Sequence, residues 1–332
     1  MGCRKCDRDA VIHAAYSGAD LCEQHFREFV ERRVRHRVRE DNLIPASATP
    51  ENPQRWLVGL SGGKDSVVLT TILHETFAED PRIELVALTI HEGIEGYRDE
   101  SVDACKTLVD ELGIEHEMVS YEEEFDVRMD AVAESDPMGM APCAYCGVFR
   151  RDLLNRHARE FDADLVLTGH NLDDEAETAL MNILEGDVEQ IADHYATSIA
   201  GRDETEQADD PEFIPRAKPL REVPEREVAL YAHLRELPAH IAECPHADRS
   251  FRGEIQTLLH NLEDRHPGTR HSIMAGYAEF GALAADAYGT LKRSSSEAST
   301  GTCEHCGRST DRAACRTCEL LAAVGGARQS EK

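Results

Sequence analysis

The middle of the chain alternates between two hydrophobic patterns. Short runs rich in apolar residues are typical of strands buried in a sheet, and each run is followed by apolar residues three or four positions apart, the spacing of a helix. This alternation predicts an α/β fold with a doubly wound parallel sheet, in which ligands bind at the carboxyl ends of the strands. The predicted strands are 56–60, 83–90, 117–121 and 164–169.

Residues 26–40 carry an apolar stripe at helical spacing, and arginine crowds the remaining positions. An RNA backbone is one natural partner of such a basic helix. The other interpretation is a solvated face whose arginines pair with Glu28, Glu31 and Glu40, and the sequence favours neither. The candidate RNA contacts are Arg32, Arg33, Arg35, Arg37 and Arg39.

Composition adds a strongly acidic charge balance. The 332 residues include 64 Asp and Glu against 36 Lys and Arg, a formal net charge of −28, and only six residues are lysine. This predicts a host with molar cytoplasmic salt, such as a haloarchaeon, because at about 1 M salt the Debye length is only about 3 Å and self-repulsion is weak. No apolar run is long enough to span a membrane and no secretion signal is visible, so we expect a cytoplasmic protein.

Cysteine is the most informative residue type. There are eleven, and clustered cysteines in a reducing compartment indicate metal or redox chemistry rather than structural disulfides. Two sets of paired ligands, with two residues inside each pair, match the tetrahedral sites of structural zinc, so we expect two Zn²⁺ ions. The first set is Cys3, Cys6, Cys22 and His25, and the second is Cys303, Cys306, Cys315 and Cys318.

Three further cysteines, Cys143, Cys146 and Cys244, fall in the predicted α/β core. Their spacing leaves three interpretations open. A zinc ion would need a fourth ligand, for which His246 is near in sequence. A Cys-x-x-Cys pair with one thiolate of low pKa can carry a persulfide, and three thiolates can hold a [4Fe–4S] cluster with one iron left open. Cys105 stands alone and is expected to be a small buried hydrophobe.

The first predicted strand runs directly into Ser-Gly-Gly-Lys-Asp-Ser. A strand, a glycine turn and a helix start form an anion cradle, because backbone N–H groups converge at the helix N-terminus. The Walker A pattern is absent. The hexamer instead resembles the PP-loop of the ATP pyrophosphatases, which hold the leaving pyrophosphate and release AMP. The resemblance implies an ATP site at Gly59, Leu60, Ser61, Gly62, Gly63, Lys64, Asp65 and Ser66.

Further motifs follow in the order of one known family. They are Pro-Cys-x-x-Cys-Gly at 142–147, Thr-Gly-His-Asn-Leu-Asp-Asp-Glu-Ala-Glu-Thr at 168–178, Lys-Pro-Leu-Arg at 218–221, Cys-Pro at 244–245 and Pro-Gly-Thr-Arg at 267–270. With the two zinc modules they resemble, over nearly the whole chain, the archaeal and eukaryotic cytoplasmic tRNA 2-thiouridine synthases, the TtuA/NcsA class. The resemblance implies a HUP-like PP-loop fold, adenylation of the C2 carbonyl of a tRNA uridine, and displacement of AMP by sulfide.

The resemblance also assigns residues and cofactors. It implies that Cys143, Cys146 and Cys244 hold a [4Fe–4S] cluster whose open iron carries the sulfur, and that Mg²⁺ assists ATP. Gly169 would let the nucleotide approach the strand end, and Asp174 matches the catalytic aspartate, as a Mg²⁺ ligand or an orienting group. The alternative for Asp174 is a helix N-terminal carboxylate that complements the helix dipole.

One position departs from the family pattern. Where the family carries a catalytic lysine, four residues after the second cluster cysteine, this chain has Arg150. Arginine keeps the positive charge and can bind phosphate, but its pKa is too high for it to donate a proton. If the lysine acts by electrostatics, Arg150 can replace it; if the lysine transfers a proton, the mechanism differs or Arg150 is not its equivalent. The candidate catalytic residues are Asp174, Arg150 and Lys64.

The sequence predicts five segments and several partners. The segments are an N-terminal zinc finger at 1–25, a basic helix and linker at 26–54, a PP-loop domain at 55–245, a helical part with a linker at 246–298 and a zinc ribbon at 299–322. An acidic stretch at 200–212 predicts a surface loop, and a serine-rich stretch at 294–301 predicts a flexible linker. The resemblance implies tRNA as substrate and a ubiquitin-like carrier with a C-terminal thiocarboxylate as sulfur donor, and it leaves a homodimer open.

The wobble uridine of the anticodon is the favoured target, since a salt-adapted organism has no need to stabilise its tRNA thermally at the T-loop. Two alternatives are the same chemistry at the T-loop uridine or at cytidine. A third is a non-catalytic zinc-containing RNA-binding scaffold with a degenerate nucleotide fold. The intact PP-loop hexamer argues against the scaffold.

Overall fold

The computed structural model describes residues 2–198, 214–242, 244–246, 251–294, 301–310 and 312–326. The acidic stretch at 200–212 lies outside these residues, as does most of the serine-rich stretch at 294–301. The described residues form one parallel sheet with helices packed on both faces, and a small β-hairpin stands near each end of the chain. The predicted α/β fold with a doubly wound sheet is confirmed.

Nine strands are present in the described part of the chain. They are β1 (Ile12–Ala14), β2 (Ala19–Leu21), β3 (Gln54–Gly59), β4 (Ile83–His91), β5 (Glu115–Ser120), β6 (Leu165–Leu167), β7 (Arg216–Ala217), β8 (Gly301–Thr302) and β9 (Ser309–Thr310). The sheet has the order β5-β4-β3-β6-β7, and every neighbouring pair is parallel. The chain moves outward from β3 to β5 and then returns to β6 on the other side of β3. The switch point between β3 and β6 is where such sheets bind ligands.

Twelve helices accompany the strands within the described residues. They are α1 (Glu23–Glu40), α2 (Lys64–Phe77), α3 (Tyr97–Leu112), α4 (Tyr121–Phe125), α5 (Met129–Ser135), α6 (Pro142–Glu160), α7 (Leu172–Glu185), α8 (Val188–Ser198), α9 (Glu225–Leu234), α10 (Phe251–Arg265), α11 (Thr269–Ser294) and α12 (Arg316–Val324). Among these, none is both long enough and apolar enough to cross a membrane.

The two faces of the sheet bury different helices. Along β3, Trp56 and Val58 pack with α1, α2 and α9, while Leu57 between them packs with α6 and α12, as the two-residue period of a strand requires. Of the predicted stripe of α1, Phe26, Val30, Val34 and Val38 are buried in the first of these cores, and Phe29 packs against it while partly exposed. Helix α1 is therefore part of the α/β core.

Some boundaries differ from those predicted. Strand β5 begins at Glu115, and Tyr121, which we had assigned to it, starts α4 with Ser120 as its N-cap. Helix α1 begins at Glu23, so its first turn includes a predicted zinc ligand, His25. Leu43, within the predicted basic helix and linker at 26–54, has a fully buried side chain. The two-residue strand β7 was missed because so short an element shows no periodicity.

Candidate active site and metal centres

The loop between β3 and α2 has the shape of an anion cradle. Gly62 has a φ of +79°, and a Cβ there would lie 2.0 Å from the carbonyl oxygen of Ser101, so the turn requires glycine. Ser61 Oγ lies 3.0 Å from Ser66 Oγ, which in turn donates to the carbonyl oxygen of Gly63 at 3.0 Å. Helix α2 has no side-chain cap, and the N–H groups of its first turn are therefore available to a phosphate.

The lysine of this loop is held by two carboxylates. Lys64 Nζ lies 2.8 Å from Glu225 Oε1 and 3.1 Å from Asp65 Oδ2. Burial alone would lower the pKa of Lys64, but the charges of Asp65 and Glu225 outweigh it and raise that pKa above its usual range. Lys64 is thus a fixed positive charge near neutral pH. Glu225, at the start of α9, was missed because no motif marks it.

The turn after β6 meets the PP-loop directly. A Cβ on Gly169 would lie 2.8 Å from the backbone nitrogen of Ser66, so this close approach also requires glycine. Asn171 Nδ2 donates to Asp65 Oδ1 at 3.0 Å and joins the two loops across the switch point. The structure therefore brings together the motifs that the sequence placed at the carboxyl ends of β3 and β6.

Asp174 takes part in the N-terminal capping box of helix α7 at this same edge. Its Oδ2 accepts the Asn171 N–H at 2.9 Å, while Asn171 Oδ1 accepts the N–H groups of Asp173 and Asp174, a reciprocal capping box. Burial raises the pKa of the Asp174 carboxyl despite the lowering effect of the Asn171 hydrogen bond. Asp174 has the structural use expected of a helix N-terminal carboxylate, and it lies in the turn region after β6 that meets the PP-loop.

The neighbouring Asp173 is bound by residues from distant parts of the chain. Arg270 Nε forms an ion pair with Asp173 Oδ1 at 2.8 Å, and the N–H of Glu225 donates to Asp173 Oδ2 at 2.8 Å. Arg270 ends the Pro-Gly-Thr-Arg motif at 267–270, and both members of the ion pair are buried. The motif therefore ties the start of α11 to the aspartate next to the site.

The three core cysteines share one neighbourhood. Cys143 and Cys146 lie one turn apart at the start of α6, and Cys244 and Cys146 both pack against the core under α6. Burial raises the pKa of the Cys244 thiol, and the nearby Cys143 and Cys146 raise it further. His246 does not join them, because its Nε2 lies 2.8 Å from Asp130 Oδ1.

Arg150 lies one turn after Cys146 on α6. Its Nη2 donates to Glu92 Oε1 at 2.7 Å and lies 3.4 Å from Cys146 Sγ. The Tyr121 hydroxyl donates to the carbonyl oxygen of Cys146 at 2.9 Å. The guanidinium is thus placed beside a candidate cluster ligand rather than free in solvent. Glu92 follows β4, and no sequence signal predicts its contact with Arg150.

Two ligand groups, separate from the three core cysteines, are compact enough to hold a single metal ion. In each, one ligand atom per residue lies within 4.8 Å of the others, and these are the groups of this kind among the described residues. The segment before β1 and the start of α1 supply one group, and the loop between β8 and β9 with the start of α12 supplies the other. Four soft ligands at this spacing fit tetrahedral zinc. They are Cys3, Cys6, Cys22 and His25, and Cys303, Cys306, Cys315 and Cys318.

The C-terminal group is anchored on the helix that carries the core cysteines. Asp152 of α6 is 4% exposed, forms an ion pair with Arg308, and accepts the Thr317 hydroxyl at 3.1 Å. Helix α12 adds Leu320 and Leu321 to the core under α6. The ribbon that contains β8, β9 and α12 is therefore a support of the cysteine site.

The arginines of α1 divide into two groups. Arg33 forms an ion pair with buried Glu227, and Arg37 bonds Glu222 at 2.7 Å and Asp41 at 2.9 Å; both arginine side chains are only 14% exposed. These contacts make Arg33 and Arg37 part of the packing between α1 and α9, with partners other than the Glu28, Glu31 and Glu40 of the alternative interpretation. The arginines of the candidate RNA surface that remain more exposed are Arg32, Arg35 and Arg39.

Comparison with known proteins agrees with this geometry. Residues 28–252 match the family described as PP-loop domain, and residues 3–27 match the 2-thiouridine synthetase TtuA, N-terminal LIM domain. The tRNA 2-thiolation protein NcsA of Haloferax volcanii is 63% identical over 98% of this chain and 99% of that protein. A probable sulfurtransferase of Methanocaldococcus jannaschii is 30% identical over 95% and 86%.

A solved structure is also similar. It is the U34-tRNA thiolase NcsA from Methanococcus maripaludis with its [4Fe–4S] cluster, which is 34% identical and superposes with a TM-score of 0.74 over 96% of this chain and 95% of that one. The similarity to these proteins runs through the PP-loop domain and the N-terminal module alike. The chain therefore belongs to the TtuA/NcsA class of tRNA 2-thiolation proteins within the PP-loop family.

Proposed function

We propose that the protein is an ATP-dependent tRNA sulfurtransferase that converts the wobble uridine to 2-thiouridine. The observation that carries the proposal is the pairing of an ATP cradle at 61–66 with the core cysteines, in a chain 63% identical to a tRNA 2-thiolation protein. The relative from Methanococcus maripaludis is named for position U34, which supports the wobble uridine as target.

The chemistry explains why ATP is needed. The C2 oxygen of uridine is a poor leaving group until it is adenylated. The oxygen attacks the α-phosphorus of ATP and pyrophosphate leaves; a sulfide then attacks C2, and AMP leaves with the former carbonyl oxygen. The backbone N–H groups of 61–66 would hold the leaving pyrophosphate, and Lys64 would add a charge-assisted contact. Asp174 would orient Mg²⁺ or the nucleotide, and Gly169 would leave room for it.

The donor set of the core cysteines fits an iron–sulfur cluster better than a single zinc. A single zinc draws its four ligands close together, whereas the thiolates of a cluster bind different irons and stand farther apart. His246, the fourth ligand that zinc would need, is bound to Asp130 instead. Cys143, Cys146 and Cys244 would hold a [4Fe–4S] cluster, which would supply an open iron to bind the sulfide that attacks C2.

The partners of this reaction are part of the proposal. Arg32, Arg35 and Arg39 offer exposed positive charge to the tRNA backbone. The sulfur would come from the C-terminal thiocarboxylate of a ubiquitin-like carrier, and a homodimer would be compatible with this chemistry. Relatives named cytoplasmic tRNA 2-thiolation protein 1 support a cytoplasmic location. The five segments at 1–25, 26–54, 55–245, 246–298 and 299–322 remain our proposed division of the chain.

The test is mass spectrometry of tRNA nucleosides from cells with and without the gene. Loss of a 2-thiouridine that carries a 5-substituent is the expected result, because that nucleoside marks the wobble position. Loss of T-loop 2-thiouridine or of 2-thiocytidine would keep the chemistry and correct the target. Unchanged thionucleosides would refute the proposal and favour an RNA-binding scaffold.

A further inference from the structure

We propose that Glu92 is a positioning residue that holds the Arg150 guanidinium against Cys146, with Arg98 as the buried cation that fixes Glu92. The inference rests on the proposed function only in that Cys146 is taken as a ligand of the sulfur-binding group. It answers how an arginine works at the position where this family carries a lysine.

The contacts place Glu92 between two arginines. Glu92 follows β4, is 1% exposed, accepts from Arg150 Nη2 at 2.7 Å through Oε1, and forms an ion pair with Arg98 through Oε2. The same Nη2 lies 3.4 Å from Cys146 Sγ. The Arg150 side chain is 50% exposed, and an exposed arginine samples many rotamers unless a partner selects one. Glu92 selects the rotamer that reaches the sulfur.

The position of Glu92 is in turn fixed by its ion pair with Arg98. Arg98 is buried and donates to the Ile90 carbonyl oxygen at 2.6 Å, to the Ser61 carbonyl oxygen at 2.8 Å and to Ser101 Oγ at 3.1 Å. These bonds lock the Arg98 side chain and, with it, the carboxylate that it faces. They also connect the support of Arg150 to the PP-loop backbone at Ser61.

The charges in this group favour an electrostatic role. Arg98 neutralises Glu92 inside the protein, so the charge of Arg150 is not cancelled by the pair that holds it. This leaves one positive charge 3.4 Å from Cys146 Sγ, which attracts negative charge on the sulfur or on a group bound to it. The role needs charge and a donor at a fixed place but no proton transfer, and arginine meets both requirements.

The experiment is a double-mutant cycle with Glu92→Gln and Arg150→Met. Two readouts are followed anaerobically: the rate at which a chelator removes iron, from the loss of visible absorbance, and the rate of 2-thiouridine formation on tRNA with sulfide. We expect each single variant to lose iron faster and to thiolate more slowly, each by about tenfold. The double variant should be no worse than the poorer single variant, because Glu92 acts through Arg150. Arg150→Lys should recover part of both losses.

The matched control is Glu124→Gln. Glu124 likewise pairs with an arginine of α6, Arg156, so Glu124→Gln removes an ion pair from the same helix without touching Cys146. Additive effects in the cycle, or equal effects of Glu124→Gln, would overturn the proposal. If Glu92→Gln fails to fold, unchanged iron loss in Arg150→Met would overturn it alone.

One further measurement needs neither iron nor activity. A crystal structure of metal-free Glu92→Gln should show the Arg150 side chain turned away from Cys146 while α6 keeps its place; an unmoved Arg150 would contradict the positioning role. A wild-type protein that loads iron but makes no thionucleoside would refute the proposed function and leave the iron-loss and crystallographic tests of Glu92 intact.

Discussion

The backbone N–H of His240 donates a hydrogen bond of 2.9 Å to the carbonyl oxygen of Gly62, and a parallel bridge pairs His240 with Gly63. The chain segment that leads to Cys244 therefore pairs with the PP-loop through one isolated β-bridge. The ring of His240 also packs edge-on against Tyr97, with ring centroids 5.6 Å apart. The ATP cradle thus has a backbone contact with the chain four residues before the third core cysteine, and no side-chain motif reveals it.

Replacing Asp174 with Asn should separate its two uses. An asparagine oxygen can still accept the Asn171 N–H, so the capping box and the free energy of unfolding should change by less than about 1 kcal/mol. The negative charge is lost, and we expect pyrophosphate release from ATP to fall by about a hundredfold. Glu185→Gln, at the exposed far end of α7, is the matched control. Full activity in Asp174→Asn would mean that Asp174 only caps the helix and has no role in the reaction.

Cys244→Ser should abolish the brown absorbance of the protein. Two thiolates cannot replace three on a cluster, whereas the two compact groups near the ends keep all their ligands, so zinc should stay near two per chain. Metal analysis and the visible spectrum check both points. Cys105→Ala is the control, since Cys105 is buried and belongs to neither group. Unchanged iron in Cys244→Ser would contradict the three-cysteine assignment.

Cys306→Ser should lower zinc from near two to near one per chain and destabilise α6. Without the metal the ribbon loses the binding energy that folds it, and Asp152 loses Arg308. The ion pair with Arg308 and the packing of α12 against α6 both stabilise the folded state, so their loss should clearly lower the unfolding temperature. Zinc analysis and calorimetry give the result. A ribbon that keeps its zinc, or an unfolding temperature equal to that of Cys105→Ala, would argue against this coupling.

Reversing the charge of Arg32 and Arg39 should weaken tRNA binding without changing ATP affinity. Each phosphate contact that is lost lowers the slope of log affinity against log salt by about one unit, so binding is measured over a range of KCl. Arg82→Glu is the control, because Arg82 is 46% exposed but precedes β4, at the edge of the sheet opposite the PP-loop. Unaltered tRNA binding would mean that the arginines of α1 serve only in packing and do not contact tRNA. Arg33→Glu is uninformative, since it would place a carboxylate against Glu227.

Because of Glu175, the free energy of unfolding should fall at acid pH. Burial alone would raise its pKa, but the hydrogen bond with His194 and the charge of Lys218, 2.7 Å away, outweigh burial and bring the pKa of Glu175 to about 2. Because this folded-state pKa lies below the ordinary value of 4.5, the stabilisation is full above pH 4.5 and is lost as pH falls from 4.5 to 2. Glu175→Gln should cost on the order of 2–3 kcal/mol at pH 7. A difference from wild type that stays constant down to pH 2 would contradict this.

The sequence predicted the features that depend on local pattern. The strands on either side of the switch point, the stripe of α1 and both compact groups of soft ligands follow from periodicity and spacing, and the structure has all of them. The PP-loop was identified from its hexamer directly after an apolar strand, and close backbone contacts explain why glycine is required at Gly62 and, in the turn after β6, at Gly169.

The features that were missed depend on contacts between distant parts of the chain. Glu225 reaches Lys64 from 161 residues away, and Glu92 reaches Arg150 from 58 residues away. No spacing rule encodes such pairs, since each is created by the packing of separate elements. The same holds for Arg33, whose buried partner Glu227 lies 194 residues away and turns a basic side chain from a surface group into a packing group.

The ion pair between Asp152 and Arg308 also orders events during translation. Arg308 is made 156 residues after Asp152, so α6 leaves the ribosome long before the cation that neutralises its buried carboxylate exists. During that interval the side of α6 that will meet α12 is uncovered, and Cys143 and Cys146 lie on a helix that lacks part of its final packing. Cofactor insertion into a helix in this state would compete with misfolding. The long separation therefore favours maturation of the cysteine site after the ribbon has taken up its own metal.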